Sequence, residues 1–387
     1  MIVDTTENAL LTFFSTNIFL SIPLAGVIQM MWTMINSLQV MMLASLIKIQ
    51  FPDNVDALMM LIQRLTSLDF LPEDKIDLQS MFNYIFDFRE TDSFRTYQEA
   101  DGTKKSVFEK NGYEQANYIL LISPLIVILL AILVYQVLKC LLVCATRRCS
   151  ENFFTRCLRK KISIKGFALR FLFESCLEIG ICAMISIIMI DGQTFNTTWE
   201  AVSTILAFLS LGCLIAGPIY FIWLQRKYIK EIMASDYDPT MVHKDTSLFS
   251  DYRLTGRIPM SYMSAFFARR YMMVLTLMLL PNYHMAQIWI YMATTMSTAM
   301  YIGKYRPFLS TFSNRLELFN EMLVFVSIYP IHIFTDFVWD LNVRDDVGMV
   351  MMTYILFSIL ANVLIIIVIT IRIIQKKVRV RYQKMRQ

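Results

Sequence analysis

The sequence has little charge: only 17% of its 387 residues are Asp, Glu, Lys or Arg, while 56% are hydrophobic. An ordinary soluble domain carries about 25% charged residues. Several apolar runs reach about 18 residues or more, which is the length that favours a spanning helix. The scarcity of charge excludes an ordinary soluble domain and predicts an all-α polytopic membrane protein.

Cysteine and histidine are also sparse. All seven cysteines lie between residues 140 and 213, so the hydrophilic segment 50–116 has none and no disulfide framework is predicted. The sequence contains three scattered histidines and no HExxH, GxSxG, CxxC or Gly-rich phosphate motif. We therefore expect no enzyme activity, no cofactor and no metal site. The net charge of +5 is small and does not indicate a nucleic-acid partner.

The apolar runs predict about nine transmembrane helices. The first membrane part, 1–49, is predicted as two spans because Pro23 and Gly26 interrupt it. One kinked helix over 9–49 is the alternative and lowers the total to eight. An external hydrophilic segment with short helices follows at 50–116, and a basic tail ends the chain at 376–387. The main seven-helix bundle covers 117–375. The expected spans are 9–24 and 28–49 in the first membrane part, and 117–145, 167–190, 199–224, 263–281, 285–303, 316–337 and 348–374 in the bundle.

The loop charges predict an orientation. Residues 146–166 hold seven Lys/Arg against one Glu, and the tail from Arg372 holds seven Lys/Arg and no acid, so both are expected in the cytoplasm. The segment 50–116 holds thirteen acids against seven basic residues and is then external. The loop with the sequon at Asn196 is also external and is a glycosylation candidate. The sequon indicates the plasma membrane or a secretory-pathway membrane.

Two features of the cytoplasmic side point to lipid contacts. The basic loop and tail can attract anionic lipids in addition to the surrounding bilayer. Cys140 and Cys144 border the basic loop and are palmitoylation candidates, with unmodified thiols as the alternative.

Four stretches carry a family resemblance: WTMINSLQVMMLASLIKIQFPDN (32–54), FDFRETDSF (86–94), NGYEQANYILLISPLIV (111–127) and YRPFLSTFSNRLELFNE (305–321). Their order and spacing resemble the TRP-like transmembrane region of large ciliate surface proteins, and more distantly the fungal TRP-like and flavin-carrier membrane domains. The resemblance implies a TRP-like helical bundle with the last two spans in the pore-forming position. Only about ten residues, Val338 to Gly348, join those spans, which is too short for a pore helix and a filter.

Acids within the apolar runs are the main candidate site residues. Glu174 and Glu178 are four residues apart and share a helix face with Arg170. Intramembrane carboxylates are typical of ion pathways. The alternative is an Arg–Glu pair that locks neighbouring helices.

A second pair of acids, Glu317 and Glu321, lies in the first two turns of the span predicted from 316, which Arg315 precedes. These acids can form a cation vestibule on the cytoplasmic side. They can instead bond to Arg269 or Arg270, two basic residues of the span 263–281.

The connection after this span carries the acids Asp345 and Asp346, with Arg344 beside them. They can concentrate cations at a pore mouth or belong to a solvated loop. The sequence therefore leaves two functional hypotheses: an oligomeric TRP-like cation channel or channel subunit, and a non-conducting anchor or receptor-type scaffold for an ectodomain or partner protein.

Overall fold

The computed structural model describes residues 25–66, 81–82, 84, 113, 117–145, 175–190, 198–233, 252–253, 257–335 and 337–386. These residues are mostly helical, and no strand occurs among them. The predicted span 9–24 and the charged residues Arg170 and Glu174 lie outside the described residues, as does Asn196.

The long helices follow the apolar runs. In chain order they are α1 (Ala25–Leu43), α2 (Asp53–Thr66), α3 (Ser123–Ala145), α4 (Cys176–Ile188), α5 (Thr198–Met233), α6 (Tyr262–Leu279), α7 (His284–Tyr305), α8 (Thr311–Ile328) and α9 (Leu341–Arg386). A 3-10 turn, Ala44–Leu46, extends α1, and a 3-10 segment, Tyr329–Phe334, extends α8.

Among the described residues, three helical segments are long and apolar enough to cross a membrane: Thr198–Lys227, Thr311–Phe334 and Leu341–Gln375. Much of their apolar surface faces outward, including Phe208 on α5 and Phe357 on α9. The predicted spans 263–281 and 285–303 are helices in the structure, α6 and α7, but their composition is less apolar.

Short connections make α6, α7 and α8 an antiparallel series. Residues 280–283 join α6 to α7, and residues 306–310 join α7 to α8, so α6 and α8 run in the same direction. The helix α4 runs alongside α6 in that direction, because Cys176 contacts Arg270 and Gly180 lies against Val274. Leu214 of α5 also approaches Gly180, where an added Cβ would lie 2.8 Å from its Cδ1 atom.

The hydrophilic segment 50–116 contributes a helix to the bundle. Its first helix, α2, packs against α1 and α9, and the residues that it buries follow helical spacing: Val55, Leu58, Met59 and Ile62. The start of α2 approaches α9 at Gly348, where an added Cβ would lie 3.1 Å from Asn54 Oδ1 and from Val55 Cγ2. A helix of this hydrophilic segment is thus part of the packed bundle.

Two helix starts differ from the predicted boundaries. The helix α8 begins at Thr311, five residues before the expected position, because Ser310 Oγ accepts a hydrogen bond from the Ser313 amide at 3.4 Å. The Asn314 side chain also bonds to the Phe308 backbone. The last helix, α9, begins at Leu341 and continues through the predicted tail, so its basic residues are helical.

Candidate functional site

The centre of the candidate site is an ion pair between α6 and α8. Arg269 Nη1 lies 2.5 Å from Glu321 Oε1, and the two side chains are only 9% and 10% exposed. Glu321 is ten residues into α8, which corresponds to a depth of about 15 Å at 1.5 Å per residue. The early start of α8 therefore places this acid almost three turns from the start of its helix, rather than within the first two turns.

The neighbouring Arg270 faces a different helix. Consecutive residues on an α-helix are about 100° apart, so Arg270 turns toward α1 while Arg269 turns toward α8. Its Nη2 donates hydrogen bonds to Asn36 and, at 2.7 Å, to Gln39 Oε1. Its guanidinium also lies 4.2 Å from the centroid of the Phe266 ring.

Gln39 extends this connection to α2. Its Nε2 donates to the backbone carbonyl of Thr66 at 3.2 Å, and Thr66 is fully buried. Thr66 is the last described residue of α2, and its carbonyl accepts this bond from the buried Gln39 side chain of α1. A continuous buried hydrogen-bonded path thus joins Arg270 to the hydrophilic segment.

The acid Glu317 lies one turn before Glu321 and is also buried. It accepts a hydrogen bond from the hydroxyl of Tyr262 at 2.8 Å. Tyr262 opens α6, so this bond joins the beginnings of α6 and α8. In contrast, Arg315 is exposed at the start of α8.

Glu178 occupies a second buried position, on α4. Its Oε1 accepts a hydrogen bond from the hydroxyl of Tyr113 at 3.0 Å, and the thiol of Cys182 lies 3.8 Å away. Burial raises the pKa of Tyr113 above its ordinary value, and the adjacent Glu178 carboxylate raises it further, so this tyrosine remains a donor at neutral pH. Tyr113 belongs to the segment 50–116, which therefore contacts the bundle core at a second point.

The acids Asp345 and Asp346 lie in the second turn of α9 rather than in a loop, and both are exposed. The loop prediction fails here because the helix begins seven residues before the expected span. Arg344 donates instead to the carbonyls of Gln50 at 2.6 Å and Phe334 at 2.5 Å. Its role is to join three chain segments at this end of the bundle.

The remaining candidates concern modification and metal binding. Cys140 and Cys144 lie in the last two turns of α3, where the sequence predicts the edge of the cytoplasmic loop. Within the described part of the chain, no group of three or more His, Cys, Asp or Glu side chains is arranged to hold a metal ion.

Several residues of the site carry no sequence signal of their own. Asn36, Gln39, Tyr113 and Tyr262 are single polar residues in apolar or irregular stretches, and only the packing of distant helices shows their partners. A buried carboxylate or guanidinium requires hydrogen-bonding partners, so the charged residues within the apolar runs indicate that such partners exist without indicating which residues they are.

Comparison of the chain with family models, curated proteins and solved structures finds no match. The part of the chain that the structure describes is thus mostly helical and holds three helices long and apolar enough to cross a membrane, while the TRP-like resemblance stays a prediction.

Proposed function

We propose that this chain is a polytopic membrane protein that acts as a non-conducting anchor or receptor-type scaffold. The proposal includes nine spans, or eight if 9–49 is one kinked helix, with the C-terminus in the cytoplasm and the attachment points of 50–116 on the external side. The parallel directions of α4, α6 and α8 support this alternation, because each of these helices is expected to run outward from the cytoplasm.

One observation carries the scaffold proposal: the buried acids bond to other parts of the same chain. Glu321 bonds to Arg269, Glu317 to Tyr262 and Glu178 to Tyr113. A charged group within a bilayer is costly unless it is paired or hydrogen-bonded. These bonds join helices to each other and to the segment 50–116, which suits a bundle that holds an external part in place.

The connection between α8 and α9 also supports a non-conducting role. After the 3-10 segment that ends at Phe334, only residues 335–340 precede α9. Six residues span at most about 20 Å in extended form, which leaves no room for a pore helix and a filter.

Flux through reconstituted proteoliposomes tests this function. We expect vesicles containing the protein to take up K⁺, Na⁺ and Ca²⁺ no faster than protein-free vesicles. The parallel measurement is thermal unfolding of Glu321→Gln, which should be less stable than the wild type. A flux that depends on the protein and disappears in Glu321→Gln would overturn the scaffold proposal.

The second candidate is an oligomeric TRP-like cation channel lined by Glu317, Glu321 and Asp345. Among the described residues, the Oε2 atom of Glu321 has no hydrogen-bond partner, which favours a role beyond the ion pair. In this case the flux experiment gives the opposite result. Crosslinking in the membrane should then also show a homo-oligomer, because a single bundle of this kind does not enclose a pore.

Partners and modifications complete the proposal. Anionic lipids of the cytoplasmic leaflet bind the basic loop 146–166 and the basic end of α9, because negatively charged headgroups attract Lys and Arg side chains next to the membrane. Acylation of Cys140 or Cys144 and glycosylation at Asn196 suit a plasma-membrane or secretory-pathway location. Acyl-exchange labelling and a glycosidase-dependent gel shift test the two modifications directly.

A further inference from the structure

The turn between α7 and α8 is joined to a distant piece of the chain. Tyr252 pairs with Phe308 in an isolated antiparallel bridge, and the Arg253 amide donates to the carbonyl of Pro307 at 2.8 Å. The Asn314 side chain holds the same turn from α8, because its Nδ2 donates to the Phe308 carbonyl at 2.7 Å. Backbone and side-chain hydrogen bonds thus hold these segments together.

Three basic residues belong to this turn and its partner segment, and we call Arg253, Lys304 and Arg306 the basic cluster. Arg306 directly precedes Pro307, which accepts the hydrogen bond from Arg253. Lys304 and Arg306 are exposed, and Arg253 is partly exposed. Within the part of the chain that the structure describes, none of these three side chains forms an ion pair. Their positive charges are therefore open to a ligand.

The backbone of Arg306 singles out this residue within the basic cluster. It ends α7 with φ 45° and ψ 66°, in the left-handed region. Glycine is the usual residue at such a position because it has no Cβ. Among the described residues, Arg306 is the one non-glycine residue with a positive φ. Residues held in sparsely populated backbone conformations cluster at functional sites, so this arginine indicates a role for its guanidinium.

The basic cluster lies where a lipid headgroup would be found. The membrane-crossing segment Thr311–Phe334 begins five residues after Arg306. Lys304 Nζ lies 5.3 Å from the centroid of the Tyr305 ring, and the Tyr305 and Tyr301 ring centroids are 5.4 Å apart. Tyrosine is enriched at the level of the headgroups. A ligand from the membrane therefore suits this position better than a ligand from solution.

We propose that the basic cluster binds a membrane lipid whose headgroup carries a phosphomonoester. A phosphomonoester carries a charge of about −1.5 to −2 at neutral pH, which suits several clustered cations. Arginine bonds to phosphate oxygens through two parallel N–H groups, and lysine adds a point charge. The inference rests on the proposed membrane orientation. It adds one defined site to the general attraction of anionic lipids by the loop 146–166 and the end of α9.

Lipid binding to the purified full chain in detergent tests the proposal, with microscale thermophoresis as the assay. The probes are short-chain phosphatidylinositol phosphate, short-chain phosphatidylinositol, which lacks the phosphomonoester, and inositol bisphosphate as the soluble headgroup. We expect saturable binding of the phosphorylated lipid. Loss of the phosphomonoester or of the acyl chains should weaken binding about tenfold or more, as expected for one lost charged hydrogen bond or two buried methylenes.

Arg306→Gly separates the effect of the side chain from that of the backbone. The change removes the guanidinium but suits the left-handed conformation, so binding should weaken about tenfold while the melting temperature does not fall. Arg306→Lys keeps the charge without the paired N–H groups, and its affinity should lie between the two. The matched control is Arg226→Gln, which removes an exposed charge near the end of α5. This control should bind as the wild type does.

Three results would overturn the inference. Equal affinity for the lipids with and without the phosphomonoester excludes recognition of that group, and equal affinity for inositol bisphosphate and the lipid excludes a membrane ligand. Binding that is unchanged in Arg306→Gly, or equally weakened in Arg226→Gln, means that general basic charge attracts the lipid. The scaffold proposal is unaffected by each of these results, because ion flux tests it separately. The comparison of the probes on the wild type decides the question if Arg306→Gly cannot be purified.

Discussion

Breaking the Arg269–Glu321 pair should destabilise the bundle, and replacing Glu321 should cost more stability than replacing Arg269. Glu321→Leu leaves a guanidinium that cannot lose its proton in a buried site, whereas Arg269→Met leaves a carboxylate that can become neutral by taking up a proton. Removing one partner of a buried ion pair costs about 3–5 kcal/mol. We expect Glu321→Leu to reach this range and Arg269→Met to cost less.

The size of the thermal shift follows from chain length. An unfolding entropy of about 2.1 cal/mol/K per residue gives about 0.8 kcal/mol/K for this chain. Glu321→Leu should then lower the melting temperature by about 4–6 °C. The assay is thermal unfolding in nanodiscs, followed by tryptophan fluorescence. The control Arg315→Met changes an exposed residue of the same helix and should stay within about 0.5 kcal/mol of the wild type.

The double variant Arg269→Met/Glu321→Leu makes the experiment decisive. It replaces both charges with apolar side chains, and such replacements are often neutral or stabilising. We expect it to recover most of the stability that Glu321→Leu loses. Additive effects of the two changes would refute the reasoning, because they would mean that the side chains do not interact.

Two further predictions concern the segment 50–116. In thermal unfolding, Gly348→Ala should cost about 1–3 kcal/mol by overpacking, because the added Cβ would lie 3.1 Å from atoms of α2. The control is Gly303→Ala, whose added Cβ meets nothing within 4 Å. This control should be neutral or stabilising. Tyr113→Phe should cost about 1–3 kcal/mol, because it leaves Glu178 without this donor, and limited proteolysis should cut the segment faster. Tyr84→Phe, at a residue that is 91% exposed, should change neither measurement.

Each of these two predictions has a clear contrary result. Equal melting temperatures for Gly348→Ala and Gly303→Ala would mean that α2 does not pack tightly on α9. An unchanged cleavage rate in Tyr113→Phe would mean that the Tyr113 hydroxyl does not hold the segment to the bundle.

The sequence predicts the helical regions well where apolar runs are bounded by charge. The span expected at 199–224 lies within α5, and those at 263–281 and 285–303 correspond to α6 and α7 within three residues at each end. Boundaries set by side-chain capping are predicted less well. The start of α8 depends on Ser310 and on Asn314, whose bonds to the preceding backbone do not alter the hydropathy pattern.

The helix α2 was missed as part of the core because its segment is hydrophilic on average. Its buried residues recur at helical spacing, but charged neighbours such as Asp53 and Asp56 dominate the composition. A single amphipathic helix of 14 residues does not reveal whether its apolar face meets lipid, solvent or protein.

By itself, the amino-acid sequence determined the helical class, the apolar segments and the presence of acids and arginines within them. Only the tertiary structure decided the partners, because partner choice depends on which helix faces which. Arg269 and Arg270 are adjacent and identical in type, yet the 100° turn between them directs one to Glu321 on α8 and the other to Asn36 and Gln39 on α1. Helix packing brings together residues more than 200 positions apart, and no local pattern records that contact.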